Sequence, residues 1–155
     1  MKVKIGNILE VSLVDVLFYP SLVVWFSYCN FRCPWCQNKE LVFGNGYEIE
    51  IDEIIEKLKK NKDFIDFLHI TGGEPTLQKN QLFKIFELSK EIGIKNSLNT
   101  NASNPKVIEE LIRKELIDHI AIDFKAPLDK YEKVIGTKID TKKIEKSLEI
   151  CSNFK

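Results

Sequence analysis

The order of apolar segments predicts an α/β fold with parallel strands and helices packed outside them. From residue 22 onward, short β-type apolar runs alternate with stripes of helical period. Two of the four runs stop at Gly or Pro, which separates each from the helix that follows. Strand–loop–helix units in series join parallel strands through right-handed crossovers. A chain of 155 residues is one domain by length and large enough to bury a core.

Residues 3–17 read as an N-terminal strand or hairpin, so 1–21 is an extension and 22–155 the core. Residues 22–27 form the first short strand, and a cysteine-bearing loop follows it directly. Ile51, Ile54, Ile55 and Leu58 then repeat at i, i+3, i+4, i+7, the stripe of an amphipathic helix. A second strand over 64–71 breaks at Gly72-Gly73. Leu82, Ile85, Phe86 and residues 89–92 make a helix that ends near Gly93. The third strand covers 94–99. Asn104 then stands as N-cap with Pro105 in the first helical position, ahead of the stripe Val107, Ile108, Leu111, Ile112. The fourth strand, 117–124, stops at Ala126-Pro127, and a last helix from about Thr141 carries Ile144, Leu148 and Cys151 on one face.

In such sheets the loops after the C-terminal strand ends line the ligand crevice. Four polar segments follow predicted strands: the cysteine loop, residues 71–76, Asn99-Thr100-Asn101, and Asp123-Phe124-Lys125. They are expected to meet on one face.

Charge and hydropathy exclude several classes. Lys plus Arg and Asp plus Glu both number 23, so no net field draws the chain to nucleic acid or to an acidic membrane. Apolar stretches such as 21–26 are too short to span a bilayer. Residues 1–10 carry charges where a signal peptide needs its apolar core. The expectation is a cytoplasmic protein with neither nucleic-acid nor membrane partner.

In a reducing compartment four cysteines do not suggest a disulfide framework. Cys29, Cys33 and Cys36 fall within eight residues at C-x3-C-x2-C spacing, while Cys151 lies more than a hundred residues away. Clustering of this kind points to metal. Two readings stay open on spacing alone. Three thiolates suit three corners of a cubane iron–sulfur cluster, leaving one iron free for a ligand. A zinc site wants four ligands, with Cys or His spaced in pairs. No His lies in the loop, and Cys151, the one thiol left to close a site, reads better as a buried, inert residue. His69 and His119 read as structural histidines within strands, and pairs such as Glu56–Lys60 as solvated helix faces.

The cysteine triad, with Trp35 just before its last member, resembles the signature of the radical S-adenosylmethionine superfamily, and Gly72-Gly73-Glu74-Pro75 resembles that superfamily's GGEP motif. The run from Cys29 through Gln37 and Asn38 is similar to the glycyl-radical-enzyme activating enzymes, especially those of anaerobic ribonucleotide reductase and pyruvate formate-lyase. Asn99-Thr100-Asn101 and Asp123-Phe124-Lys125 sit where those enzymes carry D-T-N-G and D-x-K segments. The resemblance runs from about Ile5 to the end of the chain.

It implies a partial (β/α)6 barrel, of which about four β/α units are counted here, and so either a fragment or a reduced member with an open site. It implies a [4Fe–4S] cluster on Cys29, Cys33 and Cys36, and S-adenosylmethionine bound to the free iron and cleaved to a 5′-deoxyadenosyl radical. Trp35 would face the adenine; as an alternative, its ring is a core aromatic. Gly72 and Gly73 would let the backbone pass close to the ligand, so that the segment Gly72-Gly73-Glu74-Pro75 hydrogen-bonds the α-amino group. Glu74 would support its shape, Pro75 would stiffen the turn, and Lys125 would pair with the methionine carboxylate. Asn38 and Asn101 would touch the cofactor, and Asn99, Thr100 and Asp123 would gather oxygens around a monovalent cation. Asn99 stands where relatives place Asp, Gln37 where many have His, and Ala102 where the family has Gly. The implied partners are a glycyl radical enzyme as protein substrate and a flavodoxin or ferredoxin-type electron donor. Alternatives are a radical enzyme acting on a small molecule, as in 7-carboxy-7-deazaguanine synthesis, or a non-enzymatic metal-binding module.

Overall fold

Residues 1–154 are described by a computed structural model. Its sheet has six strands: β1 (Lys2–Val16), β2 (Tyr19–Phe26), β3 (Tyr47–Glu50), β4 (Phe67–Gly72), β5 (Lys95–Thr100) and β6 (His119–Ile122), in the order β3-β1-β2-β4-β5-β6. β2, β4, β5 and β6 run parallel, as the four expected strands should. β1 pairs antiparallel with β2 on one side and with β3 on the other. Of the two expected forms for residues 3–17, the single strand is the one observed, and it makes its hairpin with β2. The expected boundary after residue 21 falls inside that strand.

The helices are α1 (Lys39–Val42), α2 (Ile51–Asn61), α3 (Lys79–Ile92), α4 (Pro105–Arg113), α5 (Tyr131–Ile135) and α6 (Thr141–Ser152). α2 starts on a capping box in which Glu50 and Glu53 each accept from the other's backbone N–H, satisfying two orphan donors. α3 ends where Gly93 takes φ 88°, a left-handed C-cap that disfavours side chains with a Cβ. Pro105 begins α4 as expected, yet the Asn104 side chain does not cap it: its Nδ2 donates instead to Thr76 Oγ1 at 2.7 Å. Asp140 caps α6 through Lys142 N at 3.1 Å.

The predicted stripes face inward. Ile54, Leu58, Leu82, Ile85, Phe86 and Leu111 are buried against one face of the sheet, where Leu22, Val24, Leu68, Ile70 and Leu98 meet them. A smaller cluster of Phe31, Ala102, Tyr131, Ile135 and Ile144 lies beneath the cysteine loop. Strand ends differ from expectation by a few residues: Phe64 is an exposed turn residue, and Ile117 is buried just ahead of β6. No helix among the described residues is long and apolar enough to cross a membrane.

Candidate functional site

The cysteine loop leaves the C-terminal end of β2 through Tyr28, whose φ of 73° turns the chain sharply. Tyr28 N donates to Leu41 O at 2.7 Å and Cys29 N to Val42 O at 3.2 Å, so α1 closes the loop from behind. From below, Phe31 inserts edge-on against Tyr131, with ring centroids 6.2 Å apart, and Arg32 N donates to Ile135 O at 2.8 Å. The loop is thus held from both sides by elements far away in sequence.

Cys29, Cys33 and Cys36 are free thiols, each half-buried, and all three line one cleft of about 260 Å³. Trp35, Asn38, Gly72, Gly73, Asn101, Asp123 and Lys125 line the same cleft, together with Gln37. The four strand-end segments therefore do converge. Trp35 is 54% exposed, so its ring is a wall of the cleft and not a core aromatic. Cys151 does not line it. That thiol is half-buried on α6, not fully buried as expected, and desolvation pushes its pKa up.

Burial also pushes the Cys29 and Cys33 thiols up, while the Lys125 ammonium draws Cys33 back toward ionisation. Donors reach the Cys29 sulfur from Phe31 N at 3.4 Å and from Asn101 Nδ2 at 3.8 Å. Such contacts favour a thiolate and tune any metal that it binds. Among the described residues, no three Cys, His, Asp or Glu side chains form a group able to hold a single metal ion. Three thiols line the cleft with no His and no fourth Cys among its lining residues, a donor set that suits three corners of a cubane, whereas a structural zinc site wants four ligands.

The glycine pair is needed for close packing. A Cβ on Gly72, which has φ 119°, would stand 2.3 Å from Phe26 O, and one on Gly73 would stand 2.1 Å from Tyr28 O. Gly73 N donates to Phe26 O at 2.8 Å and Glu74 N to Tyr28 O at 2.7 Å, stitching this segment to the start of the cysteine loop. The glycines were expected to admit the ligand. Their steric demand comes from the neighbouring backbone, although both also line the cleft.

Glu74 and Pro75 are buried behind the cleft and do not line it. The fully buried Glu74 carboxylate accepts from Thr76 N and Oγ1, Thr100 Oγ1 at 2.8 Å and Asn101 N at 2.7 Å. Burial pushes its pKa up and these four donors pull it back. One side chain therefore ties the loop after β4 to the loop after β5. Sequence spacing gave no sign of this partnership, although Thr100 and Asn101 were both singled out. Ala102 adopts φ 63°, the left-handed turn that suits the family's glycine; Ala102 N donates to Thr100 Oγ1 at 3.2 Å, and its carbonyl accepts from Ser147 Oγ at 2.7 Å. These bonds hold a conformation that costs a non-glycine residue about 1 kcal/mol or more.

The three expected cation ligands lie at the ends of the neighbouring strands β5 and β6, where Asp123 N donates to Thr100 O at 3.0 Å, and each side chain has a protein partner. Asn99 Nδ2 reaches Thr71 Oγ1 at 3.3 Å, Thr100 is engaged by Glu74, and Asp123 Oδ2 pairs with Lys125 Nζ at 2.9 Å. Sequence reasoning also missed Phe31, Tyr131 and Asn30. Asn30 Oδ1 accepts from Asn101 Nδ2 at 2.9 Å, a pairing across 71 residues that no local pattern announces.

The Radical SAM superfamily model matches residues 23–155. A Methanocaldococcus jannaschii protein, provisionally named a glycyl-radical enzyme activating enzyme, is 34% identical over 97% of this chain and 64% of its own length. The 7-carboxy-7-deazaguanine synthase of Thermococcus kodakarensis is 28% identical over 68% of this chain and 49% of its own length. The pyruvate formate-lyase-activating enzyme of Listeria monocytogenes is 28% identical over 78% and 54%. The chain thus spans about half to two thirds of the length of these relatives. QueE from Escherichia coli shares the fold, with a TM-score of 0.54 at 15% identity over 66% of this chain and 54% of that one. With the matched region starting inside β2 and taking in every strand-end loop of the cleft, the chain belongs to the radical SAM superfamily.

Proposed function

We propose that this chain is the cluster- and S-adenosylmethionine-binding core of an activating enzyme that installs a glycyl radical in a partner enzyme, with anaerobic ribonucleotide reductase as that partner. The observation that carries the reading is the convergence of three free thiols, a glycine pair and the Asp123–Lys125 pair on one cleft. Relatives named as glycyl-radical activating enzymes support the choice of reaction.

Cys29, Cys33 and Cys36 would hold a [4Fe–4S] cluster, which when bound would supply the electron for reductive cleavage of the S–C5′ bond of S-adenosylmethionine. The ligand's α-ammonium is a donor, so a backbone carbonyl of the cleft-lining Gly72-Gly73 segment would accept from it, while the Gly73 and Glu74 N–H groups tie the segment to Phe26 and Tyr28. Lys125 meets the ligand carboxylate. Its bond to Asp123 does not prevent this, because the Asp123 side chain is 53% exposed and such pairs are worth at most about 1 kcal/mol. Trp35 offers a flat apolar face to the adenine. Glu74 keeps the two loops in register without touching the ligand.

The test is anaerobic reconstitution with iron and sulfide, followed by dithionite and S-adenosylmethionine. The reading expects 5′-deoxyadenosine and methionine, and a glycyl doublet by electron paramagnetic resonance once the reductase is added. Absence of 5′-deoxyadenosine would sink it. A small-molecule reading, favoured by the Thermococcus kodakarensis relative, expects the same nucleoside but a deazaguanine product and no glycyl doublet.

A further inference from the structure

The loop after β5 reaches the cysteine loop through one buried carboxamide, that of Asn101. Its Oδ1 accepts from Ser103 N at 3.0 Å. A backbone N–H can only donate, so this bond fixes which end of the amide is oxygen. Nδ2 is thereby turned to the cysteine loop, where it donates to Asn30 Oδ1 at 2.9 Å and to Cys29 Sγ at 3.8 Å. Asn30 is held in turn, because its own Nδ2 donates to Ser103 Oγ at 2.9 Å. Asn30, Asn101 and Ser103 thus close a ring of three bonds that leaves the Asn101 amide one orientation. The ring also singles out one cysteine. Cys29 Sγ accepts from Asn101 Nδ2 and from Phe31 N, and among the described residues no such bond joins the Cys33 or Cys36 sulfur to another residue.

We infer that the Asn101 amide donates to the Cys29 sulfur and makes a cluster held there easier to reduce, with Asn30 as the positioning residue that aims it. The inference rests on the cluster reading given above. A reduced cluster carries one more electron than the oxidised form, and part of that charge lies on the sulfurs. A fixed N–H donor therefore stabilises the reduced form more, which raises the potential. Asn101 is only 5% exposed, so water does not compete for the sulfur at that side and the bond acts in a low dielectric. Both N–H bonds of the amide are engaged, one by Asn30 and one by Cys29, and the backbone N–H of Asn101 is held by Glu74. Asn101 thus lines the cleft without a free donor for S-adenosylmethionine. Its contact is to the sulfur, and Asn30, which does not line the cleft, acts through it.

The experiment uses the full chain with its cluster reconstituted anaerobically. Titration with dithionite in the presence of redox dyes, read by the electron paramagnetic resonance of the reduced cluster, gives the midpoint potential. Asn101→Leu, similar in volume but without a donor, is expected to lower the reduction equilibrium constant about threefold to tenfold, tenfold being about 59 mV for one electron. Asn30→Ala should shift the midpoint in the same direction and by less. Asn104→Ala removes an amide of the same loop that bonds Thr76 and not a sulfur, and should stay within about twofold of wild type. Affinity of the oxidised chain for S-adenosylmethionine, by equilibrium dialysis, should change by less than about twofold in Asn101→Leu. An unchanged midpoint in Asn101→Leu would overturn the inference. So would a rise, the sign of water reaching the cluster after loss of a merely structural side chain, or an equal fall in Asn104→Ala. A tenfold loss of S-adenosylmethionine affinity would assign the amide to the ligand and overturn it as well. If Asn101→Leu assembles too little cluster to titrate, Asn30→Ala decides alone, and an unchanged midpoint there overturns the inference. A wild-type chain that assembles no reducible cluster overturns the cluster reading itself, and this inference with it.

Discussion

The two faces of the four parallel strands are built on opposite principles. On the outer face, Leu22, Val24, Leu68, Ile70 and Leu98 are buried against the helices, with Asn96 a polar exception whose Nδ2 donates to Phe86 O and Leu116 O. On the inner face, cross-strand neighbours form polar rows. His69, Ser97 and His119 stand in register, with Ser97 Oγ 2.8 Å from the Nδ1 of each histidine. The hydroxyl has one donor and two lone pairs, so it bridges both rings whichever nitrogen carries the proton. One layer up, Trp25, Thr71 and Asn99 sit closer to the cleft, and Asn99 Oδ1 is buried without a hydrogen-bond partner. Non-directional burial stabilises the outer face. The inner face gives up some of that stability for directional groups, and the cleft opens at its end.

Substitutions can break or sharpen this contrast. The largest effect is expected from Cys33→Ser: iron and sulfide content after reconstitution should fall to near zero, while the circular dichroism melt stays close to that of the metal-free wild type. A collapsed melt would mean that the loop is a structural part of the fold. Leu68→Ala on the outer face should do the reverse, costing about 2–5 kcal/mol by chemical denaturation with cluster assembly unchanged.

An inner-face effect should appear as pH falls. Burial lowers the His69 pKa to about 4, with Asp15 raising it and His119 lowering it further. An imidazole whose folded pKa is depressed is stabilising above its unfolded value and loses that contribution as the pH drops. Stability should therefore decline by about 3 kcal/mol between roughly pH 6.5 and pH 4. Denaturation midpoints across that range check it, and His69→Gln should flatten the slope. Glu74→Gln should cost about 1–3 kcal/mol, because an amide cannot accept from all four donors. Its sharper signature is local: faster amide exchange at Asn101 and Thr76, with the outer-face helices unaffected.

The outer face was legible from the sequence almost residue by residue. Ile51, Ile54, Ile55 and Leu58 announce α2 because a helix repeats its buried face every three or four residues, and α2 spans Ile51–Asn61. β3 was missed for the opposite reason. It is four residues long and exists through pairing with Lys2–Ile5, so its signal lies in a partner more than forty residues away. The short α1 and α5 carry no full period to detect.

The cleft divides in the same way. C-x3-C-x2-C and the GGEP segment are local strings whose chemistry is written in residue type and spacing, so the sequence by itself determined the cysteine triad, the parallel α/β layout and the meeting of four strand-end loops. Only the tertiary structure decided which residues face the ligand and which stand behind them. Glu74 and Thr100 read as polar site residues, yet they bond to each other behind the cleft, and the expected cation ligands are held on three different partners. Phe31 and Tyr131, silent in the sequence, position the cysteines from below. The physical reason is that a buried polar group takes whichever partner the packed neighbours bring within hydrogen-bond reach. That distance is set across dozens of residues and leaves no local pattern to read.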